Sequence, residues 1–177
     1  MHDAKQGNID KLGIPGRIVA VLENVHTHRK CFIPGCNIVA DTGDTYYAQR
    51  GCGSAVTSDF VSGYSGLRLG TEVTTPTKAD TDVGTFVATG TRGLDAGYPK
   101  TSDPDTDNTG SGADIVSYRY SFGTADAIIN SIAEGAIVVD VAAGGTALTH
   151  FLFAAAFNKT ANDTLKVFVN HEMIGTA

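Results

Sequence analysis

The most regular pattern of hydrophobic and polar positions runs from Leu148 to Ile174. In its second half hydrophobic and polar residues alternate, and a period of two is typical of a strand with one buried face. The hydrophobic face consists of Leu165, Val167, Val169 and Met173, and the polar face of Lys166, Asn170 and Glu172. The first half, Leu148 to Phe157, is apolar on both faces, which favours a strand covered on two sides. Because only the polar stretch Asn158 to Asp163 separates the halves, we predict that they form a hairpin.

Shorter strands are predicted along the rest of the chain, separated by turns rich in Gly, Pro and Asn. They are Arg17–Leu22, Phe32–Ala40, Gly66–Gly70, Thr85–Ala88, Ile115–Phe122 and Ala136–Asp140. The strand Ile115–Phe122 alternates most clearly, with Val116, Tyr118, Tyr120 and Phe122 on one face. We expect the Pro34-Gly35 turn to break the second strand and the Gly144-Gly145 turn to connect the last one to the strand at Leu148. Surface loops are predicted over Thr71–Asp82 and Gly93–Gly112.

One helix is predicted, from Thr45 to Arg50, because Asp41 to Asp44 supply capping residues before it and Gly51 follows it. Many short strands with a single helix argue for an all-β sandwich or barrel. The length of 177 residues suits one domain. We therefore expect a single domain over residues 13–177 and, before it, a polar N-terminal arm, residues 1–12. This arm is either frayed or docks on a neighbouring subunit.

Charge and cysteine usage narrow the classes of function. A net charge of −6 and a pI near 5.2 argue against binding to duplex nucleic acid, which requires clustered Lys and Arg. The N-terminus lacks the apolar core of a signal peptide, and no apolar run of about 18 residues occurs. We therefore expect a protein that is neither exported nor inserted in a membrane. Three cysteines, an odd number, favour reduced thiols over a disulfide framework.

The densest carboxylate cluster is the stretch from Asp103 to Asp114. It partly imitates a calcium loop, with Asp103, Asp105 and Asp107 at the first, third and fifth ligand positions. The imitation fails at two positions that matter, because Asn108 replaces the glycine and Asp114 replaces the bidentate glutamate. We therefore predict an exposed acidic loop without a tightly held ion.

A zinc site would require closely spaced thiolates and imidazoles. The candidate ligands are His26, His28, Cys31, Cys36 and Cys52. No Cys-x-x-Cys pair is present among them, and Pro34-Gly35 lies inside the would-be ligand loop. We therefore predict buried or incidental thiols and no bound zinc.

No catalytic, cofactor or metal site is expected, so we predict that the protein is not an enzyme. Ser65 lies in Gly63-Tyr64-Ser65-Gly66, which lacks the glycine spacing of a nucleophile elbow. His150 and His171 occupy regular strand positions, which favours structural histidines with satisfied hydrogen bonds. No Lys follows Gly144-Gly145, so this pair is predicted as a hairpin turn and not as a phosphate-binding loop.

The order of several segments resembles that of small virion structural proteins of tailed bacteriophages. The segments are Asn37–Ala48, Gly66–Thr71, Pro76–Asp82, Ile115–Phe122, Ile132–Ile137, Leu148–Phe153 and Asn158–Val167. The likeness covers roughly residues 37 to 174 and leaves out residues 1–36 and the loop Thr101–Gly112. It implies an all-β, antiparallel, jelly-roll-like β-sandwich with long loops and at most one short helix. It also implies a passive role in the particle, with no catalytic residues.

From this resemblance we expect a minor capsid protein, a decoration (cement) protein that binds the major capsid protein on the head surface and bridges capsomers. It would assemble in the host cytoplasm as a homotrimer, and it would contact neither nucleic acid nor membrane. Two alternatives stay open. One is a tail or head-fibre protein with an adhesion role, and the other is a small carbohydrate-binding module or enzyme of the same architecture.

Overall fold

A computed structural model describes residues 17–56, 66–101 and 115–172. This part of the chain contains nine β-strands and one α-helix. In chain order they are β1 (Arg17–Asn24), β2 (Lys30–Val39), α1 (Asp41–Gly51), β3 (Gly66–Gly70), β4 (Phe86–Gly93), β5 (Lys100–Thr101), β6 (Ile115–Phe122), β7 (Ile129–Val138), β8 (Ala147–Lys159) and β9 (Asp163–Glu172). The predicted N-terminal arm, residues 1–12, lies outside the described residues.

The strands form one antiparallel sheet with the order β4-β3-β7-β8-β2-β1-β9-β6-β5. The sheet curls until β4, the strand at one edge, packs against β6, next to the strand at the other edge. Curling of this kind follows from the natural twist of strands and encloses one face of the sheet. The predicted all-β antiparallel fold with one short helix is confirmed.

Asp95 closes the sheet where its two edges meet. Its backbone N–H donates to the carbonyl oxygen of Arg119 at 3.0 Å, and its carboxylate accepts from the backbone N–H of Ser121 at 3.1 Å. The same carboxylate accepts from Arg119 Nε at 2.8 Å and from the Ser121 hydroxyl at 2.6 Å. A single residue after β4 thus satisfies backbone groups on the edge of β6 that no strand pairs with at this point.

The core fills the inside of the curled sheet. Tyr118, Tyr120 and Phe122 of β6 are almost fully buried there, as the alternation of this strand predicts. They share the cluster with Val167 of the neighbouring strand β9 and with Phe151 of β8, both completely buried. Inward-facing side chains from almost every strand therefore share one hydrophobic cluster.

The predicted helix is confirmed, but it begins four residues before the predicted start at Thr45, and the predicted cap is wrong. The helix begins at Asp41, its N-cap is Ala40, and no side chain caps it. Contact with β8 fixes this end of the helix instead, because the Ala40 N–H donates to the Leu148 carbonyl at 3.0 Å and the Thr42 hydroxyl donates to the Ala147 carbonyl at 2.5 Å. The first N–H group of the helix, that of Asp41, donates to the Lys78 carbonyl at 2.8 Å, so a backbone carbonyl takes the place of the expected capping side chain there.

The predicted hairpin between the last two strands is wrong. Strand β8 pairs with β7 and β2, whereas β9 pairs with β1 and β6, so two strands separate them in the sheet. The short connection crosses one end of the curled sheet, held where the Val25 N–H donates to the Asn162 carbonyl at 2.9 Å. A short polar link limits the distance between two strands but does not decide which strands pair.

Two further expectations about the strands need correction. Pro34-Gly35 does not break β2, since Pro34 pairs with Val19 of β1. On its other side β2 pairs with β8 only from Gly35 onward, so Pro34 lies just outside the part of β2 that has a partner strand on both sides. Strand β9 is not half-buried, because Asn170 and Phe168 on its second face are also buried, Phe168 against Val19 and Val21 of β1. The two-sided burial predicted for β8 holds from Ala147 to Phe151, whereas its later alanines are exposed.

Candidate functional site

The densest cluster of charged side chains lies on the outer face of strands β3, β7 and β8. Arg68, Glu134 and His150 alternate with inward-facing core residues of these strands, so all three point away from the core. The loop Thr71–Thr85, which connects β3 to β4, covers them and contributes Asp80. The predicted surface loop is therefore packed against the sheet through this cluster.

His150 is bound by a carboxylate at each ring nitrogen. Nδ1 lies 2.7 Å from Asp80 Oδ2, and Nε2 lies 2.8 Å from Glu134 Oε2. Burial by itself lowers the pKa of His150, but the hydrogen bonds to Glu134 and Asp80 outweigh it and raise the pKa above its ordinary value. Both nitrogens then carry a proton, and the imidazolium joins two anions.

Glu134 is completely buried on β7, yet its carboxylate has a full set of donors. The backbone N–H groups of Glu72, Gly84 and Thr85 donate to it at 3.0, 2.9 and 2.9 Å, in addition to His150. Burial raises the pKa of Glu134, but these hydrogen bonds outweigh burial and the net pKa is lowered. A buried charge at this position is therefore compensated and serves to anchor both ends of the loop.

Asp80 completes the cluster from the loop side. Its carboxylate accepts from the backbone N–H of Thr77 at 2.8 Å and from the Thr77 hydroxyl at 2.6 Å. Burial raises the pKa of Asp80, but the bonds from Thr77 and His150 outweigh it and lower the net pKa. About a quarter of this side chain, 28%, is exposed, so Asp80 is the one member of the triad in contact with solvent.

A second ion pair fastens the same loop beside the triad. Arg68 Nε lies 3.0 Å from Asp82 Oδ1, and an Arg68 terminal nitrogen donates to the Val141 carbonyl at 2.8 Å. The guanidinium also stacks on the ring of Phe86, 3.5 Å from its centroid. Arg68 thus joins the loop Thr71–Thr85 to the β7–β8 turn.

The chemistry open to this cluster is limited. A cavity of about 380 Å³ lies between the loop and the sheet, lined by threonine side chains, Asp80, Asp82 and His150. While His150 is protonated neither ring nitrogen can accept a proton, and Glu134 and Asp80 already accept several hydrogen bonds. The arrangement holds a loop in place and does not supply a general base.

A second polar cluster lies inside the sheet, at the end covered by α1. The Tyr47 hydroxyl lies 2.6 Å from His171 Nδ1 and 3.1 Å from the Tyr118 hydroxyl. His171 Nε2 is buried and has no hydrogen-bond partner within the described part of the chain. Burial lowers the pKa of His171 to about 4 and raises that of Tyr47 well above its ordinary value, so both are neutral near pH 7.

The two histidines predicted as structural thus differ. His150 has both nitrogens bonded, as expected, whereas His171 has only one. Sequence reasoning missed Glu134, Asp80 and Arg68. One signal was present for Glu134, which is the only charged residue in the apolar stretch Ile132–Ile137. A carboxylate in a buried strand needs partners, although the sequence does not name them.

The candidate zinc ligands are not brought together. Cys31, Cys36 and Cys52 are free and exposed, so of the predicted buried or incidental thiols the buried alternative is wrong. His26 Nε2 lies 3.3 Å from Asn162 Oδ1, and His28 Nδ1 lies 3.7 Å from Glu23 Oε1. Among residues 17–56, 66–101 and 115–172 no group of three or more His, Cys, Asp or Glu residues could hold a metal ion.

The remaining sequence candidates divide into two groups. The acidic stretch Asp103–Asp114 and Ser65 lie outside the described residues. Gly144 and Gly145 form the β7–β8 hairpin turn, as predicted, and both adopt positive φ angles of 69° and 94° that favour glycine.

In the segments that the structure describes, no helix has the length and apolar character needed to cross a membrane.

Comparisons of the chain with protein-family models, with curated proteins and with solved structures found no match.

Proposed function

We propose that the protein is a structural component of a tailed-bacteriophage virion, a decoration protein that stabilises the capsid by bridging capsomers. The observation that carries this proposal is that the charged cluster at His150 has a structural role. Its imidazolium and both carboxylates hold the loop Thr71–Thr85 on the sheet and leave no free base or nucleophile there. The order of segments that resembles phage virion proteins supports the same function.

A rigid surface suits a protein that acts by binding. Association loses less free energy when the contacting loops are already ordered, because their conformational entropy was lost on folding. The triad at His150, the Arg68–Asp82 pair and the contacts of Asp95 all order connections between strands. Such a surface can be repeated over many copies on a capsid with the same shape in each.

Exposed apolar side chains provide contact area for capsomers. Phe32, Val73, Phe86 and Ile128 are the large hydrophobic residues exposed within the described segments. Apolar and aromatic residues are the ones that contribute most at the centre of protein interfaces. The polar arm, residues 1–12, and the predicted loop Gly93–Gly112 would add contacts at the periphery, and three copies would join in a homotrimer.

Phage heads with and without the protein test this proposal. Binding to the assembled shell stabilises it by mass action, so decorated heads should release DNA at a higher temperature than bare heads. Deletion of residues 2–11 should weaken attachment while the isolated domain keeps its melting temperature, because the sequence shows no core pattern there. Equal release temperatures, together with immunolabel found only on the tail, would remove the decoration function and favour the tail alternative.

A further inference from the structure

The loop Thr71–Thr85 is attached to three different elements by ion pairs. These are Asp80 with His150 of β8, Asp82 with Arg68 of β3, and Lys78 with Asp44 of α1. Of the groups involved, only a histidine changes its charge in the range near neutral pH. The attachment through Asp80 can therefore be lost in solution without disturbing the other two.

We propose that the short segment Ala79 to Thr81, between the anchors Lys78 and Asp82, is a strap that His150 holds closed through Asp80 while it is protonated and releases when it loses its proton. The rest of the loop stays in place in both states, because Glu134 binds the backbone N–H groups of Glu72, Gly84 and Thr85 and the ion pairs of Lys78 and Asp82 persist. Release would widen the cavity above His150. This release of the strap is independent of the proposed function in a virion.

The geometry determines which contact breaks. A neutral imidazole has one N–H group, so it can donate to Glu134 or to Asp80 but not to both. Glu134 is completely buried, and a buried carboxylate that loses a donor is costly, whereas the partly exposed Asp80 can exchange His150 for water. The proton therefore stays on Nε2, and the lone pair of Nδ1 faces the Asp80 carboxylate and repels it.

The other charged groups near His150 determine whether the strap opens at high or at low pH. Glu134 faces it from β7, Asp80 from the loop, and Glu72 and Asp82 line the same cavity. The cation Arg68 of β3 is paired with Asp82. The two bonded carboxylates raise the pKa of His150, so the strap should be closed at mildly acidic pH and should open as the pH rises above the ordinary histidine range.

Amide hydrogen exchange of the full chain between pH 6 and pH 9, corrected for intrinsic exchange rates, tests this proposal. In the native sequence the protection of the Thr77 and Asp80 amides, which donate to Asp80 Oδ2 and to the Thr77 carbonyl, should fall with rising pH. The fall should be about tenfold per pH unit where His150 is protonated in the closed state and neutral in the open state, because one proton leaves on opening there, and it should level off at higher pH. In the His150→Gln variant the protection should not change with pH. In the control variant Asp82→Asn, which breaks the ion pair with Arg68, the pH dependence should remain. An equal pH dependence in the native sequence and in His150→Gln would overturn the proposal.

A second measurement serves if His150→Gln does not fold. The ring proton signals of His150 can be followed by NMR in the native sequence and in Asp80→Asn. Loss of the Asp80 charge should lower the pKa of His150 and should leave the Thr77 and Asp80 amides less protected throughout this pH range. An unchanged pKa of His150 in Asp80→Asn, or constant protection of these two amides from pH 6 to pH 9 in the native sequence, would contradict the strap.

Discussion

The hydroxyl oxygen of Tyr47 lies 2.6 Å from Nδ1 of His171, and this contact joins helix α1 to the end of strand β9. The same hydroxyl lies 3.1 Å from that of Tyr118 on β6. One side chain of the helix thus binds two strands that are neighbours in the sheet, from inside its curl. Tyr118 and His171 are buried and Tyr47 is half-buried, so the contact gives a buried ring nitrogen of His171 a hydrogen-bond partner.

Replacing Tyr47 with Phe should destabilise the fold by about 1–3 kcal/mol, because it leaves Nδ1 of the buried His171 without a partner. Tyr120→Phe is the matched control. The Tyr120 hydroxyl is buried and has no hydrogen-bond partner within the described residues, so its removal should be neutral or stabilising. Urea denaturation of both variants measures the difference. A loss of equal size in the two variants would show that removal of a buried hydroxyl group as such, and not loss of the hydrogen bond to His171, accounts for the effect.

Acid should destabilise the protein through His171 before most carboxylates are protonated. The pKa of His171 is about 4 in the folded state and near its ordinary value in the unfolded chain. Between these values the unfolded chain binds more protons, so the free energy of unfolding should fall by about 3 kcal/mol as the pH drops from about 6.5 to about 4. His150 does not offset this loss, because its pKa is raised and it is protonated in both states over most of that range.

Denaturation curves at several pH values check this prediction. The His171→Gln variant should show a flatter dependence of unfolding free energy on pH over the same interval, since glutamine does not titrate. The exposed His26 provides a control, and His26→Gln should keep the dependence of the native sequence. A flat curve for the native sequence would mean that His171 is not buried as described.

The sequence predicted the strands better than their partners. Alternation identifies a strand because it depends on neighbouring residues, and β3 and β6 begin and end where this pattern places them. Pairing depends on contacts between distant parts of the chain, such as Asn24 and Asp163 at the crossing between β8 and β9, where the Asn24 amide donates to the Asp163 carboxylate at 3.1 Å. Local pattern contains no information about that crossing, which is why the hairpin prediction failed.

The charged cluster was beyond sequence reasoning for the same reason. His150 lies 16 positions from Glu134 and 70 positions from Asp80 along the chain. The strand position of His150 predicted a structural histidine with satisfied hydrogen bonds. Its partners could not be predicted, because they depend on the pairing of β7 with β8 and on a loop that folds back over both strands. Glycines mark where this loop comes close, since a Cβ on Gly70 would lie 2.3 Å from a Glu134 oxygen.

Phe151→Ala and Val167→Ala should each destabilise the fold, because both side chains are completely buried in the central cluster. Loss of transfer free energy together with the cavity left behind should cost about 3–5 kcal/mol for the phenylalanine and less for the valine. Ala155→Ser on the exposed part of β8 should have little effect. Chemical denaturation provides the values, and losses below about 0.5 kcal/mol at both core positions would be incompatible with this packing.

Two glycines of helix α1 provide the sharpest test of how it packs on β8. A Cβ at Gly43 would lie 2.1 Å from the Leu148 carbonyl oxygen and 2.9 Å from a Val39 methyl, whereas a Cβ at Gly51 would have no atom within 4 Å. Alanine favours a helix over glycine by roughly 1 kcal/mol in either position. At Gly43 this gain should be reversed, because the helix must move away from the strand, and overpacking of this kind costs about 1–3 kcal/mol or more. Gly43→Ala should therefore lower the melting temperature and Gly51→Ala should leave it unchanged or raise it. If both variants were stabilised, the close contact between α1 and the carbonyl of Leu148 would not exist in solution.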